Sequence, residues 1–231
     1  MRSVQRSWVM LILFALVAGF RASAQSDELN PEIDVYHKLT PNLRFAFQAK
    51  QSREGSTPNS PEIGPSLDYY LHSLQRLIDI RKSDKDDSKA YLVVFSLGYR
   101  YLPTAGEPPT NRMEPFVTIN LPVPETAILF SDKNRADLDW KNGGFTWRYR
   151  NRLQLQRRVG IRSYNISPYA SAEFFYESQY EKWSDTAIYA GCVFPLGKHS
   201  GFNPYYEHQN TTGKKPNQRL NQLGLILSLY F

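Results

Sequence analysis

The sequence has 231 residues, with 28 lysines and arginines, 22 aspartates and glutamates, and a net charge of +6. Three of the basic residues, Arg2, Arg6 and Arg21, lie in the first 24 residues, and without them 25 basic residues face 22 acidic ones, a net charge of +3. This surplus is too small for the electrostatic footprint of a nucleic-acid-binding protein, and the single cysteine, Cys192, excludes an internal disulfide framework.

The N-terminus has the features of a secretory signal peptide. A basic start is followed by an almost wholly apolar run, Trp8 to Phe20, and Ala22-Ser23-Ala24 offers small residues for cleavage. We predict a signal peptide over residues 1–24 and one mature domain over residues 25–231. The mature chain has no apolar run of about 18 residues, so its sequence does not predict a helical membrane protein.

The mature chain reads as a series of strands about ten residues long, separated by polar turns. Side chains of a strand alternate between two faces, and here one face is apolar while the other is polar or charged. In the segment 43–50, for example, Leu43, Phe45, Phe47 and Ala49 alternate with Arg44, Ala46, Gln48 and Lys50. The same pattern recurs over 91–101, 112–121, 145–155 and 170–177.

Two segments fit this pattern poorly. Ser66 to Ile80 has leucines at helical spacing and is ambiguous between strand and helix. Ile128 to Trp140 carries six charged or amide residues between positions 132 and 139, and we expect it to bulge or to leave the membrane partway, because charge facing lipid is costly. Arg81 to Ala90 is long and charged where a short turn is expected.

About eleven candidate strands can be counted, and since bacterial barrels usually have an even number, we predict ten or twelve, with a preference for twelve.

The final segment shows the clearest alternation. Leu223, Leu225, Leu227, Leu229 and Phe231 form one wholly apolar face, and the chain ends on the aromatic residue. C-termini of this kind direct outer-membrane proteins to the barrel-insertion machinery, and we predict that Leu225, Leu227, Leu229 and Phe231 are the assembly signal.

These features favour an all-β, antiparallel up-and-down transmembrane β-barrel of ten to twelve strands, of the outer-membrane type. Aromatic residues crowd the ends of the apolar faces, as the girdles at a membrane interface do. The expected location is the bacterial outer membrane, and the expected partners are its lipids and the insertion machinery, with no nucleic acid. A soluble β-sandwich used for binding has the same alternation and is the alternative fold.

Four segments resemble an uncharacterised bacterial family called domain of unknown function 2490. They are Asn134 to Trp140, Phe145 to Leu153, Pro168 to Tyr176 and Asn203-Pro204-Tyr205-Tyr206. The resemblance covers most of the mature chain and is most specific from about residue 130 onward. It implies an outer-membrane barrel and implies no reaction, so no catalytic residues, cofactor or metal site carry over.

The strongest candidate site is the basic row Arg148, Arg150 and Arg152, which strand alternation places on one face. The candidate counter-charges are Asp137, Asp139, Glu173, Glu177 and Glu207. One interpretation is an interior salt-bridge network that fills a narrow barrel, because buried charges persist only when they are paired. The other is a lining selective for anionic solutes, although the number of acids argues against a simple anion pore. We therefore expect a non-enzymatic barrel that is structural or a narrow pore for small solutes.

The alternative function is an outer-membrane lipid hydrolase centred on His208. The segment Glu207 to Thr212 has a weak similarity to outer-membrane lipid deacylases, in which a histidine and a serine lie close together. Asn210 stands where that pattern needs serine, so Thr211 or Thr212 would have to replace it, and His208 falls on the outward face. The other histidines, His37, His72 and His199, show no metal-ligand spacing.

Overall fold

The computed structural model describes residues 27–52, 60–74, 83–104, 106–123, 125–213 and 217–231. The predicted signal peptide, residues 1–24, lies outside them. The described residues form twelve strands and a short 3-10 turn over Asp87–Ala90. The strands are β1 (Asp27–Thr40), β2 (Leu43–Ser52), β3 (Ser60–Ser73), β4 (Tyr91–Thr104), β5 (Glu107–Val123), β6 (Ile128–Lys141), β7 (Gly144–Arg157), β8 (Val159–Ile161), β9 (Tyr164–Glu177), β10 (Lys182–Pro195), β11 (Ser200–Thr211) and β12 (Gln218–Tyr230).

Eleven of these strands form one closed ring, and the twelfth, β8, is a three-residue extension that pairs only with β9. The predicted closed barrel is therefore correct, and a sandwich of two stacked sheets is excluded. The expected even strand number is wrong. Every other neighbouring pair of the ring is antiparallel, but β1 and β12 are parallel. Because each hairpin reverses the chain direction, a ring with an odd number of strands must close with a parallel pair.

The strands are strongly tilted against the barrel axis. When paired residues are followed from strand to strand once round the ring, the path returns to the starting strand about 14 residues from where it began. For eleven strands this displacement corresponds to a strand tilt of roughly 40°. This is the tilt typical of transmembrane barrels. We call the end where β1 begins the N-terminal rim and the end where β12 finishes the C-terminal rim.

The distribution of side chains is the reverse of that in a soluble protein. Leu97 and Ile188 face outward and are 53% and 62% exposed, whereas Arg112 and Asp137 face the lumen and are 1% and 0% exposed. The strand faces predicted from alternation are found in the structure. Soluble proteins place apolar side chains inside and almost never bury charges in such numbers. The buried part of this molecule is thus a polar lumen within an apolar outer surface.

Aromatic side chains cluster on the outer surface near the N-terminal rim. Trp140 contacts Phe145, with ring centroids 5.3 Å apart, and Tyr176 stacks on Trp147 and meets Trp183 edge-on. Four strands, β6, β7, β9 and β10, contribute to this group. Such a band is what an interface between hydrocarbon and headgroups favours, because one side of each ring is apolar and its edge can meet water.

Strand β6 neither bulges nor ends early, contrary to the expectation for this segment. Its register with β7 runs without a break from Ile128 to Lys141. Alternation directs Asp132 outward, where its carboxylate accepts hydrogen bonds from Asn134 at 3.1 Å and Asn151 at 2.7 Å. The outward polar groups therefore satisfy one another, and the strand stays regular.

The other ambiguous segment is partly resolved. Residues 66–73 belong to strand β3, with Leu67 and Leu71 on its outer face, whereas residues 75–82 lie outside the described part of the chain. Leu67 and Leu71, which are spaced as in a helix, therefore lie on the same face of a strand.

The last strand follows its prediction in geometry. Leu225, Leu227 and Leu229 lie on the outer face of β12, and Phe231 is 65% exposed at the C-terminal rim. On the inward face, Gly224 leaves room for the side chain of Tyr205, because a Cβ at residue 224 would lie 2.0 Å from the Tyr205 ring. The role of this strand as an assembly signal stays a prediction.

Candidate functional site

The lumen is the candidate site, with a cavity of about 690 Å³ lined by inward side chains of the ring. Two of its walls differ in charge. The basic wall consists of the inward cations of β6 and β7, namely Lys133, Arg135, Arg148, Arg150 and Arg152. The acidic wall consists of Asn30, Glu32 and Asp34 of β1 and Glu207 of β11. In the ring order β1 lies five strands from β6, so the two walls face each other across the cavity.

Asp137 neutralises one half of the basic wall. Its side chain is fully buried and its carboxylate contacts three arginines: Arg135, Arg148 at 2.9 Å and Arg150 at 3.7 Å. Arg148 approaches through both Nε and Nη2. Charge-assisted contacts of this number are what a buried carboxylate needs, because its desolvation is otherwise very costly.

Glu173 neutralises the other half. Its two carboxylate oxygens accept from Arg150 at 2.8 Å and from Arg152 at 2.6 Å, and the hydroxyl of Tyr189 donates to it at 2.8 Å. The three arginines predicted to form a row are thus brought together with two of their five predicted counter-charges. Each of these two acids therefore serves more than one arginine.

The remaining predicted acids are arranged differently. Asp139 pairs with Arg112, which donates from Nε at 2.6 Å and from Nη2 at 2.8 Å. Glu177 lies opposite Arg148 in the register and accepts a hydrogen bond from the amide of Gln179 at 2.8 Å. Glu207 of β11 forms no ion pair with the three arginines, but it adjoins their network, because it interacts electrostatically with Arg152 and through a hydrogen bond with Tyr189.

A second ionic group near the N-terminal rim was not singled out from the sequence. Arg112 lies 3.7 Å from Glu62, and Arg100 lies 3.4 Å from Glu114 and 3.8 Å from Glu62. Alternation already places Arg112 and Glu114 on a polar face. Their partners come from three different strands, however, and strand order round a ring is needed to bring them together.

Two basic residues of this wall, Arg135 and Lys133, were not singled out from the sequence, and Lys133 differs from the other cations. Its ammonium lies 3.9 Å from the centre of the Phe116 ring, and no carboxylate of the described residues forms an ion pair with it. It is paired in the register with Arg152 of β7. Lys133 was not placed in the lumen because β6 was expected to bulge, whereas in a regular strand residue 133 must face inward.

The C-terminal rim is crossed by the described part of the β3–β4 connection, residues 83–90, which we call the inner segment. It crosses the lumen to β7 and β9, where Asp84 accepts from Gln156 at 2.8 Å and Ser83 accepts from Ser167 at 2.8 Å. The predicted long, charged connection is therefore present, and it is folded inward.

The inner segment is also tied to the opposite side by Asp86, which caps the 3-10 turn. Arg44 of β2 donates to its carboxylate at 2.6 Å, and the backbone N–H of Ser88 donates to it at 3.1 Å. Burial alone would raise the pKa of Asp86, but the charges of Arg44 and Lys89 outweigh this and lower it from 3.8 to about 2. Asp86 is therefore ionised at neutral pH and holds the segment in place.

His208 does not assemble a hydrolytic site among the described residues. Its Nδ1 lies 2.7 Å from Oδ1 of Asn221, which also accepts from Tyr206, and all three side chains are on the outer face. Glu207 points into the lumen, as alternation requires, so it cannot orient His208. Thr211 faces the lumen as well and accepts from Gln209 at 3.4 Å.

Two further arrangements were looked for in the described part of the chain. None of its helices is long and apolar enough to cross a membrane. It also contains no group of three or more histidine, cysteine, aspartate or glutamate residues that could hold a metal ion.

Comparison with known proteins gives one family match. The model of the family described as protein of unknown function (DUF2490) matches residues 91–220, which run from β4 into β12. The match covers more than half of the chain and includes the whole of the basic wall. A comparison with curated proteins gives no match.

Proposed function

The chain belongs to DUF2490, a family of proteins of unknown function, and we propose that it is an outer-membrane barrel enclosing a narrow compartment for small polar solutes. The observation that carries this proposal is the reversed distribution of side chains. Leucine, isoleucine and phenylalanine face outward round the ring, while arginine and glutamate are buried inside it. In water this arrangement would expose a continuous apolar surface, whereas in a bilayer that surface meets lipid.

The outer surface supports the membrane location in two further ways. The roughly 40° strand tilt is that of transmembrane barrels, and the rim aromatics near Trp147 and Trp183 match an interfacial girdle. Closure of the ring leaves its backbone groups paired, so no sheet edge is presented to lipid.

The interior supports a narrow compartment and not an open pore. Ionic side chains from opposite walls reduce the free volume to about 690 Å³. At the C-terminal rim the inner segment spans from Arg44 on β2 to Gln156 on β7. A solute of a few heavy atoms fits this space, and a wide aqueous channel does not.

Fractionation and electrical recording test this proposal together. The chain, expressed with its leader, is expected in the outer-membrane fraction with heat-modifiable mobility on gels. In planar bilayers the purified protein is expected to conduct far less than an open general porin. Replacing residues 83–90 by a flexible glycine-serine linker should raise the conductance. Detergent-free solubility of the mature chain would contradict the membrane location, and a large constitutive conductance would contradict the narrow compartment.

A further inference from the structure

We propose that the lumen binds a small zwitterion, with its anionic group on Lys133 of the basic wall and its cationic group on Glu32, Asp34 and Asn30 of the acidic wall. The inference rests on the proposed function for the route by which a solute enters. The site itself follows from the side chains of the two walls that form no direct ion pair among the described residues.

Lys133 is the cation available to an anion. The other cations of the basic wall form ion pairs with Asp137, Glu173 or Glu114. Lys133 has a cation–π contact with Phe116 and no ion pair among the described residues, and Glu114 attracts it only at longer range. A cation–π contact contributes about 0.5–2 kcal/mol, which is less than an ammonium removed from water needs. A carboxylate or phosphate group on a solute would supply the missing charge.

The acidic wall presents acceptors that neutral groups satisfy. The amide of Gln48 donates to Glu32 at 2.6 Å and to Asp34 at 3.1 Å, and the hydroxyl of Tyr36 donates to Asp34 at 3.1 Å. None of these donors carries charge, and Glu32 and Asp34 also interact with each other through a hydrogen bond. Lys50 acts on both carboxyl groups electrostatically, but its ion pair, at 3.3 Å, is with Glu62. Two adjacent carboxylates in one wall therefore favour an incoming ammonium, which has three N–H donors and no acceptor.

Asn30 gives an independent indication on the same wall. Its side chain is only 8% exposed, and its amide donates to Gln222, but its carbonyl oxygen Oδ1 has no hydrogen-bond partner. A buried acceptor left without a donor costs about 1–3 kcal/mol. Asn30 and Glu32 project inward from the same strand two residues apart, so one donor group can reach both.

The two halves of the site face each other at similar height. Following paired residues from Glu32 on β1 strand by strand to β6 leads to Lys141 in one direction round the ring and to Ala127 in the other. These positions are at opposite ends of β6, so the level of Glu32 on that strand falls near its middle, close to Lys133. A solute with its charges at opposite ends can therefore contact both walls at once.

The arrangement identifies the chemical class of the solute. It needs one ammonium-type group and one carboxylate- or phosphate-type group, separated by a short spacer. A cavity of about 690 Å³ is within the range of small-molecule sites and holds a molecule the size of an amino acid. A singly charged molecule would satisfy one wall and leave the other without a counter-charge.

Isothermal titration calorimetry on the refolded mature chain in detergent tests the site. The probes are glycine, 4-aminobutyrate and 6-aminohexanoate, with butyrate and butylammonium as singly charged comparisons. At least one zwitterion is expected to bind more than tenfold more tightly than either singly charged probe. Equal binding of zwitterions and singly charged probes, or no saturable binding of any zwitterion, overturns the proposal.

Variants assign the two ends. Lys133→Met should weaken zwitterion binding at least tenfold and leave butylammonium unaffected, whereas Glu32→Gln should weaken both zwitterions and butylammonium. Lys141→Met is the matched control, because Lys141 is an exposed rim residue paired with Glu107, and it should bind as the wild type does. Wild-type affinity in Lys133→Met would overturn the assignment. If Lys133→Met fails to fold, Lys133→Gln takes its place, and the probe comparison on the wild type still decides.

The two proposals fail in different ways. A mature chain that is soluble without detergent yet binds zwitterions would end the membrane proposal and leave the site intact. A chain that fractionates with the outer membrane and binds no zwitterion would end the site proposal alone.

Discussion

The backbone N–H of Phe231 donates to the carbonyl oxygen of Tyr36 at 2.8 Å, which joins the last residue of the chain to the first strand of the ring. In return the N–H of Lys38 donates to the carbonyl oxygen of Phe231 at 2.9 Å. The rings of Tyr36 and Tyr230 stack on the lumen side with centroids 5.1 Å apart. The C-terminal residue thus contributes directly to the seam that closes the barrel.

Deleting Phe231 is expected to reduce the fraction of protein inserted in the outer membrane. The deletion removes both hydrogen bonds to β1 and the aromatic end of the predicted assembly signal. Heat-modifiable mobility in the membrane fraction measures the effect. Phe231→Tyr, which keeps the aromatic ring and the backbone, is the control and should insert normally. Normal insertion of the deleted chain would show that Phe231 is not needed for assembly.

Asp137→Ala is expected to destabilise the barrel by about 3–5 kcal/mol, because it leaves Arg135, Arg148 and Arg150 without their shared counter-charge in a buried site. Denaturant unfolding in lipid vesicles measures the change. Glu107→Gln breaks an ion pair with Lys141 that is exposed, and it should cost no more than about 1 kcal/mol. Similar effects of the two substitutions would contradict a buried network.

Asp132→Leu is expected to stabilise the protein in lipid bilayers by about 1–2 kcal/mol, because it removes a carboxylate from the outer surface. Asn134 and Asn151 remain hydrogen-bonded to each other at 3.1 Å, so neither loses all of its partners. The comparison variant is Asp139→Leu, which faces the lumen and should be destabilising. A loss of stability in Asp132→Leu would mean that another protein surface covers this part of the barrel in the membrane.

Asp86 predicts a pH dependence for the inner segment. Its pKa is lowered from 3.8 to about 2, so ionised Asp86 stabilises the folded state by about 2 kcal/mol above pH 4, and this contribution is lost as the pH falls through 2. The measurement is the difference in unfolding free energy between the wild type and Asp86→Asn. The difference should be constant from pH 7 to pH 4 and should shrink below pH 4. A difference that does not change down to pH 2 would contradict the lowered pKa.

The faces of the strands could be predicted from the sequence, because alternation with period two is a local property of each segment. Arg148, Arg150 and Arg152 lie on one face for this reason, and Asp137 lies across the β6–β7 hairpin, so their contact follows from short-range geometry. The sequence also contains the motifs that identify the family.

The strand number and the second half of the site depend on long-range relations. Whether the number of strands in the ring is odd or even depends on all of the hairpins together. The wrong expectation for a single segment, 128–140, was enough to leave Lys133 out of the predicted site. The inner segment is a similar case, since its partners Gln156 and Ser167 lie more than sixty residues away in the chain. Nothing in the local pattern of residues 83–90 distinguishes an outward loop from an inward one.

The parallel seam between β1 and β12 places the two ends of the barrel on opposite sides. Asp27 begins at one mouth of the barrel and Phe231 finishes at the other, whereas a ring with an even number of strands would bring both to the same side. In the proposed membrane location, a reporter fused before β1 and a reporter fused after β12 would therefore sample opposite compartments. The orientation of the protein can be read from that pair of fusions alone.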